Sequence, residues 1–418
     1  MMKKYKTSRV FVPGGMPLLT YVARTNRKLE EKLESAKDYS CKLVTITGST
    51  KSGKTVLVNK IFPRDVSIWV DGGTIKDEED LWHSILESID GYSTISCNEK
   101  KESSNSVSGS LDITVGLPLF MQGKGELGGN YTSNRGKENI KSRNLTARTA
   151  AISQLKKVDI PLIIDDFHYL DRSFQGSIIR ALKPLIFEGL PVILIAIPHR
   201  RYDVIKVERE MTGRLDSVMI PPWEVEELEL ISKEGFPLLN MDVKENVNRL
   251  LAKEAYGSPH LMQEFCKKIA IKHGIKETVD KTVVINKIDD QLFKDVASGT
   301  GKVIFDKLAK GPKQRSDRIQ RTLKNGEKAD IYRVILLALA KIKAGLETIE
   351  YEQLRSAIKD VLIDNIPQAH EVTRVLEKMN QIATKDESST PVLDWEREEQ
   401  MLHITDPFFA FYLKWGVF

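Results

Sequence analysis

Two short runs carry most of the chemistry available to this chain. The first is Gly48-Ser49-Thr50-Lys51-Ser52-Gly53-Lys54-Thr55, followed by Val56. Glycines at this spacing let the backbone turn tightly enough for successive N–H groups to converge on an anion. A helix starting behind the loop adds the positive end of its dipole. The Lys54 ammonium then reaches the β- and γ-phosphates of a nucleoside triphosphate, and the Thr55 hydroxyl is a hard oxygen ligand for Mg²⁺. The second run is Pro161-Leu-Ile-Ile-Asp165-Asp166-Phe-His168. Here an apolar strand delivers two carboxylates at its end. Asp165 would hold Mg²⁺, directly or through water, and Asp166 would polarise an attacking water. An apolar run ending in Asp-Asp is often only a strand edge. Downstream of a glycine loop, in strand context, it reads as the acidic half of a nucleotide site, with ATP and Mg²⁺ as the implied cofactors.

The elements that must position these residues follow from hydrophobic patterning. Five short, β-branched apolar segments lie at 43–47, 67–70, 160–164, 191–197 and 217–220. Helical patterns separate them, for example Glu79–Leu86 and Ile178–Lys183. This alternation predicts an α/β fold, a parallel sheet covered on both faces. A helix is also expected over Arg27–Ala36. Residues 96–144 break the rhythm. They are rich in Ser, Gly, Asn and Lys, with Leu111, Ile113, Val115 and Leu117 alternating, so they read as an insertion carrying a β-hairpin.

After Pro221-Pro-Trp223 the pattern turns helical over 224–300. Residues 301–328 carry nine lysines and arginines against Asp306, Asp317 and Glu327, and read as a basic linker. Residues 329–418 show three helical patterns and a closing β-like pair near 392–395 and 401–404, as in a winged helix. The expected organisation is thus a core over 1–223 with the insertion 96–144, a helical lid over 224–300, the linker, and the winged helix.

Composition narrows the class. The chain has 418 residues, 41% hydrophobic and 29% charged, as expected of a globular protein with more than one core. Cys41, Cys97 and Cys266 lie far apart, without the spacing of a zinc site or disulfide framework. The longest apolar run, Leu190–Ile197, is too short to cross a bilayer. The basic N-terminus lacks the apolar stretch of a signal peptide. A cytoplasmic protein without a membrane partner is expected. A net charge of +5 permits nucleic-acid contact without demanding it.

Further motifs resemble the AAA+ and STAND (signal-transducing ATPase with numerous domains) families of P-loop ATPases. Tyr21-Val-Ala-Arg24 with Leu29-Glu-Glu-Lys-Leu33 is similar to their entry segment, which lies beside the adenine, although Ala23 stands where glycine is usual. The resemblance places a γ-phosphate sensor after strand 191–197, making His199 or Arg200 the candidate. Met211-Thr-Gly-Arg214 resembles the arginine position before the last core strand. Arg214 is then an arginine finger on a neighbouring subunit or an internal sensor, set against a plain surface salt bridge. Ala255-Tyr-Gly257-Ser-Pro259-His260 resembles the GxP lid motif, which sits over the nucleotide and puts Pro259 and His260 at the ligand. His403-Ile-Thr-Asp406-Pro407-Phe-Phe-Ala-Phe-Tyr412 resembles the closing segment of archaeal-type ATPases, including origin-recognition relatives.

Three functions are compatible with these features. The first is an ATP-driven switch that forms a homo-oligomer, in antiphage defence for example, acting through a separate protein effector. The second is a DNA-associated ATPase, a replication initiator or transposition regulator, whose residues 301–418 contact DNA. The third is a nucleotide-gated scaffold with little turnover. The paired aspartates favour real hydrolysis.

Overall fold

A computed structural model describes residues 3–38, 41–89, 94–97, 141–144, 146–158, 160–197, 211, 213–312, 318–342, 348–363, 365–384 and 392–416. In chain order the elements are α1 Thr7–Val10, α2 Leu29–Asp38, β1 Leu43–Gly48, α3 Lys54–Ile61, β2 Ile68–Asp71, α4 Glu78–Ser88, β3 Thr94–Cys97, β4 Lys141–Asn144, α5 Ala147–Leu155, β5 Leu162–Asp165, α6 Arg172–Phe187, β6 Val192–Ala196 and β7 Leu215–Ile220. They continue with α7 Val225–Leu238, β8 Met241–Val243, α8 Glu245–Glu254, α9 Pro259–Lys272, β9 Val283–Ile285, α10 Gln291–Thr300 and α11 Lys302–Lys310. The last are β10 Arg321–Thr322, β11 Lys328–Ala329, α12 Ile331–Ile342, β12 Thr348–Glu350, α13 Tyr351–Val361, α14 Ala369–Thr384, β13 Leu393–Glu396, β14 Met401–Ile404 and α15 Pro407–Trp415.

The expected α/β architecture is present. Five parallel strands run in the order β2-β5-β6-β1-β7, so β1 lies inside the sheet. Every residue of β1, β5 and β6 is buried, which explains why these strands read as continuous apolar runs rather than alternating ones.

The chain divides into two compact units that do not follow the sequence boundary expected at 223. One holds Lys32–Ile46 and Val58–Val218, the other Met1–Glu31, Thr47–Leu57 and Met219–Phe418. The first has its own core, with Trp82, Ile85, Leu162, Ile178 and Leu185 buried among others. In the second, a single core runs from Phe11 through Phe236, Phe265 and Phe293 to Phe409 and Phe411. Lid and winged helix therefore share one apolar interior.

In the second unit α7, α8, α9 and α10 form the expected helical lid, joined by a short parallel pair, β8 and β9, that the helical pattern did not reveal. Three residues per strand are too few to show a period of two. The C-terminal segment is a winged helix: α12, α13 and α14 with a three-stranded sheet ordered β12-β14-β13.

The basic linker expected at 301–328 is corrected. It contains α11 and the antiparallel pair β10–β11. Several of its cations are neutralised locally. Lys302 pairs with Asp306, Arg318 with Asp330 at 2.6 Å, and the buried Arg321 with Glu371 at 3.0 Å. A run of cations in sequence is thus partly a set of folded ion pairs. The ends of the insertion, β3 and β4, pair antiparallel. The hairpin expected around the alternating Leu111–Leu117 lies outside the described residues.

Candidate functional site

β1 ends in the glycine loop. At Gly48 a side chain is excluded: a Cβ there would lie 2.9 Å from the Ile220 carbonyl oxygen and 3.0 Å from both Ile220 Cβ and Ser52 Oγ. The loop closes with Ser52 N–H donating to the Ser49 carbonyl at 3.3 Å, and α3 starts at Lys54. Lys54 is buried, and its ammonium donates to the carbonyls of Gly48 and Ser49, each at 2.9 Å. The charge is thus held against the loop it would serve. Thr55 and Lys51 are exposed, Ser49, Thr50 and Val56 half-buried. The hydroxyls of Thr47 and Ser52 are buried without a hydrogen-bond partner. Unsatisfied buried hydroxyls are uncommon, and a loop framed by two of them suits a polar ligand.

The lid meets the loop within the same unit. Ser258 caps α9 by accepting from the Leu261 N–H at 3.4 Å, with Pro259 in the first turn. Ser258 Oγ lies 3.5 Å from the Lys51 carbonyl, and a Cβ on Gly53 would stand 3.9 Å from the Pro259 ring. His260 packs edge-on to Phe408 of α15, ring centroids 4.9 Å apart, while the Lys51 ammonium sits 5.6 Å from the same ring. Burial, with Lys51 nearby, pushes His260 down to about 4, so it is a neutral ring at physiological pH. Asp406 caps α15 through the Phe409 N–H at 2.8 Å. Lys51, expected at the phosphates, thus faces the winged-helix corner.

Arg24, expected beside adenine, is buried with its guanidinium already committed. It donates to the carbonyls of Pro221 and Pro222, each at 3.0 Å, and pairs with Glu227 at 2.8 Å. It also lies 4.7 Å from the Trp223 ring centroid. Burial pushes the Glu227 carboxyl up, but Arg24, the Glu224 N–H and Arg27 outweigh it and hold Glu227 below the usual carboxylate range. Trp223, which the sequence reading used only as a boundary, donates its indole N–H to the Ser52 carbonyl at 2.8 Å.

In the other unit, Asp165 closes β5 and is buried, its carboxylate accepting from the Asp166 N–H at 2.9 Å. In the register of β2 and β5 it stands beside Asp71. Asp166 adopts the left-handed conformation, with φ of 50°, and its side chain is 43% exposed. Non-glycine residues are held in that region only when their surroundings over-determine it, and they cluster at functional sites. Gly72 secures the turn, since a Cβ there would meet the Asp166 carbonyl oxygen at 2.7 Å. His168 Nδ1 lies 4.0 Å from Asp166.

Arg214 precedes β7, and its carbonyl accepts from the Leu43 N–H where β1 begins. Its guanidinium stacks on the exposed Phe187 ring at 5.1 Å. His199 and Arg200 lie outside the described residues.

No family model matches this sequence. Solved structures do. The chain is similar to a Walker-type ATPase of Pyrococcus abyssi at 15% identity, over 93% of this chain and 95% of that one, with a TM-score of 0.51. It also matches the Aeropyrum pernix ORC2 protein at 12% identity, covering 98% of each chain, with a TM-score of 0.47. A STAND protein with a tetratricopeptide repeat sensor from Pyrococcus horikoshii is 16% identical, over 94% of this chain and 42% of that one, with a TM-score of 0.35. The first likeness establishes the fold, which this chain shares with the Pyrococcus abyssi protein. Among the described residues no helix is long and apolar enough to cross a membrane.

Proposed function

We propose that this protein is an ATP-operated switch that hydrolyses ATP slowly and assembles with copies of itself while ATP is bound. The observation that carries this reading is the membership of the glycine loop. Residues 47–57 belong to the same compact unit as the lid and the winged helix. The Lys51 ammonium lies 5.6 Å from the Phe408 ring centroid, the Lys51 carbonyl faces Ser258 Oγ at 3.5 Å, and the Ser52 carbonyl accepts from the Trp223 indole N–H at 2.8 Å. A change at the loop therefore presses directly on the parts able to change shape.

The residues fit nucleotide and Mg²⁺. The loop N–H groups and Lys54 would take the phosphates, Lys54 exchanging its loop carbonyls for phosphate oxygens. Thr55 and Asp165 would each offer a hard oxygen of the kind Mg²⁺ prefers. Mg²⁺, when bound, neutralises charge at the β- and γ-phosphates. Asp166, half-buried and held in a left-handed turn, would accept the proton of a water whose oxygen attacks the γ-phosphorus as the bond to the β-phosphate oxygen breaks. Arg214 would meet a neighbouring copy.

DNA reading is the weaker alternative. The wing between β13 and β14 carries Glu396, Glu398 and Glu399, and its Arg397 pairs with Glu377. Phosphate contacts require cations there.

Mass photometry of wild type, Lys54→Ala and Asp166→Asn, with and without ATP·Mg²⁺ and duplex DNA, tests the proposal. The expected result is assembly with ATP alone, persistent in Asp166→Asn and absent in Lys54→Ala. Assembly that requires DNA would overturn the switch in favour of a DNA-bound ATPase. A wild-type hydrolysis rate in Asp166→Asn would remove its assigned role.

A further inference from the structure

We propose that Trp223 is a positioning residue for the phosphate loop, fixing the orientation of the peptide between Ser52 and Gly53. The inference rests on the nucleotide reading above and deepens it. A trans peptide is planar, so its C=O and N–H point in opposite directions. The Trp223 indole N–H holds the Ser52 carbonyl at 2.8 Å. Holding that oxygen also directs the Gly53 N–H away from Trp223, and that N–H is one of the donors a phosphate loop must present. Without the indole the peptide can rotate, and its carbonyl, an acceptor, would then face an anion.

The tryptophan is itself held rigidly. The Arg24 guanidinium stacks 4.7 Å from its ring centroid. Arg24 is anchored by the Pro221 and Pro222 carbonyls and by Glu227, and its backbone has φ of 46°. A non-glycine residue keeps that conformation only where several contacts enforce it. Glu227 is in turn fixed at the start of α7, where its side chain accepts from the Glu224 N–H at 3.0 Å. The relay Glu227–Arg24–Trp223–Ser52 thus ties the start of the lid to the loop. Trp223 and Glu227 are remote in sequence from the loop, which is why no motif announced them.

The test is equilibrium binding of fluorescent ATP, ADP and AMP analogues to the full chain, in wild type and in Trp223→Phe, with melting temperature recorded alongside. Phenylalanine keeps a ring beneath Arg24 and removes the N–H. The expected result is about tenfold weaker ATP and ADP binding, the scale of one hydrogen bond to a charged or polarised group, with AMP binding unchanged. A tryptophan that only fills space would lower the melting temperature and weaken all three nucleotides alike, or none. Either of those outcomes overturns the proposal. Should Trp223→Phe fail to fold, site-specific replacement of Trp223 by benzothienylalanine substitutes sulfur for the ring N–H at nearly constant shape, and the same phosphate-selective loss is expected. Wild-type protein that binds no nucleotide, with Lys54→Ala no different, would remove the nucleotide reading and this inference together. Wild-type binding with an unaffected Trp223→Phe protein removes only the inference.

Discussion

Glu254 at the end of α8 joins the lid to the last helix of the winged helix, and its replacement by glutamine should destabilise the protein. Its carboxylate, only 9% exposed, accepts from the Lys414 ammonium at 2.6 and 2.8 Å and from the Trp415 indole N–H at 2.7 Å. Glutamine keeps one acceptor oxygen but turns an NH₂ donor toward a second donor, so at least one charge-assisted bond is lost, about 1.5–3 kcal/mol. Lys414 remains 27% exposed, so water recovers part of its solvation, and the full ~3–5 kcal/mol of a broken buried pair is not reached. A loss of about 2–3 kcal/mol is expected, which lowers the melting temperature by about 5–10 °C for a body of this size. Thermal unfolding followed by circular dichroism and tryptophan fluorescence reads it. Adding Lys414→Met to Glu254→Gln removes the stranded ammonium and should recover about half of the loss, a coupling that a double-mutant cycle isolates. Glu254→Gln melting within about 1 °C of wild type, or strictly additive single and double variants, would refute the reasoning.

Two further predictions concern the loop and the lid. Gly48→Ala places a methyl 2.9 Å from the Ile220 carbonyl oxygen, a backbone atom that cannot swing aside. It should destabilise the protein by about 1–3 kcal/mol, and an unchanged denaturation midpoint would show that the strand yields. His260 titrates near 4 in the folded protein, against an ordinary 6.5. As pH falls the unfolded chain takes the proton first, so the stability that neutral His260 contributes is complete above about pH 6.5 and is lost progressively toward pH 4. Comparing chemical denaturation of wild type and His260→Gln across that window should show a shallower slope in the variant. Equal slopes would assign the acid sensitivity elsewhere.

The parts of this protein that depend on neighbours in sequence were legible before any coordinates. The glycine loop and the Asp165-Asp166 pair are local patterns, because a phosphate loop needs its glycines, lysine and threonine at fixed offsets on one stretch of backbone. The buried strands were equally plain, since a strand covered on both faces leaves an uninterrupted apolar run. The winged helix also showed itself through helical periodicity, apart from the three-residue strand β12. The basic stretch at 301–328 misled because charge in sequence does not reveal partners. Asp330 and Glu371, which neutralise Arg318 and Arg321, lie outside the stretch itself.

The parallel sheet and the local form of the glycine loop could therefore be read from the order of residues alone. Packing alone settled which partners the side chains around the loop acquire. It put Arg24 under Trp223 rather than in the open, turned Lys51 toward Phe408, and joined the Arg214 carbonyl to the Leu43 N–H at the start of β1. The physical reason is range. Loop conformation and strand burial are fixed by backbone geometry over a few residues. A guanidinium or an indole commits to whichever partner packing brings within about 3 Å, and packing joins residues two hundred or more positions apart.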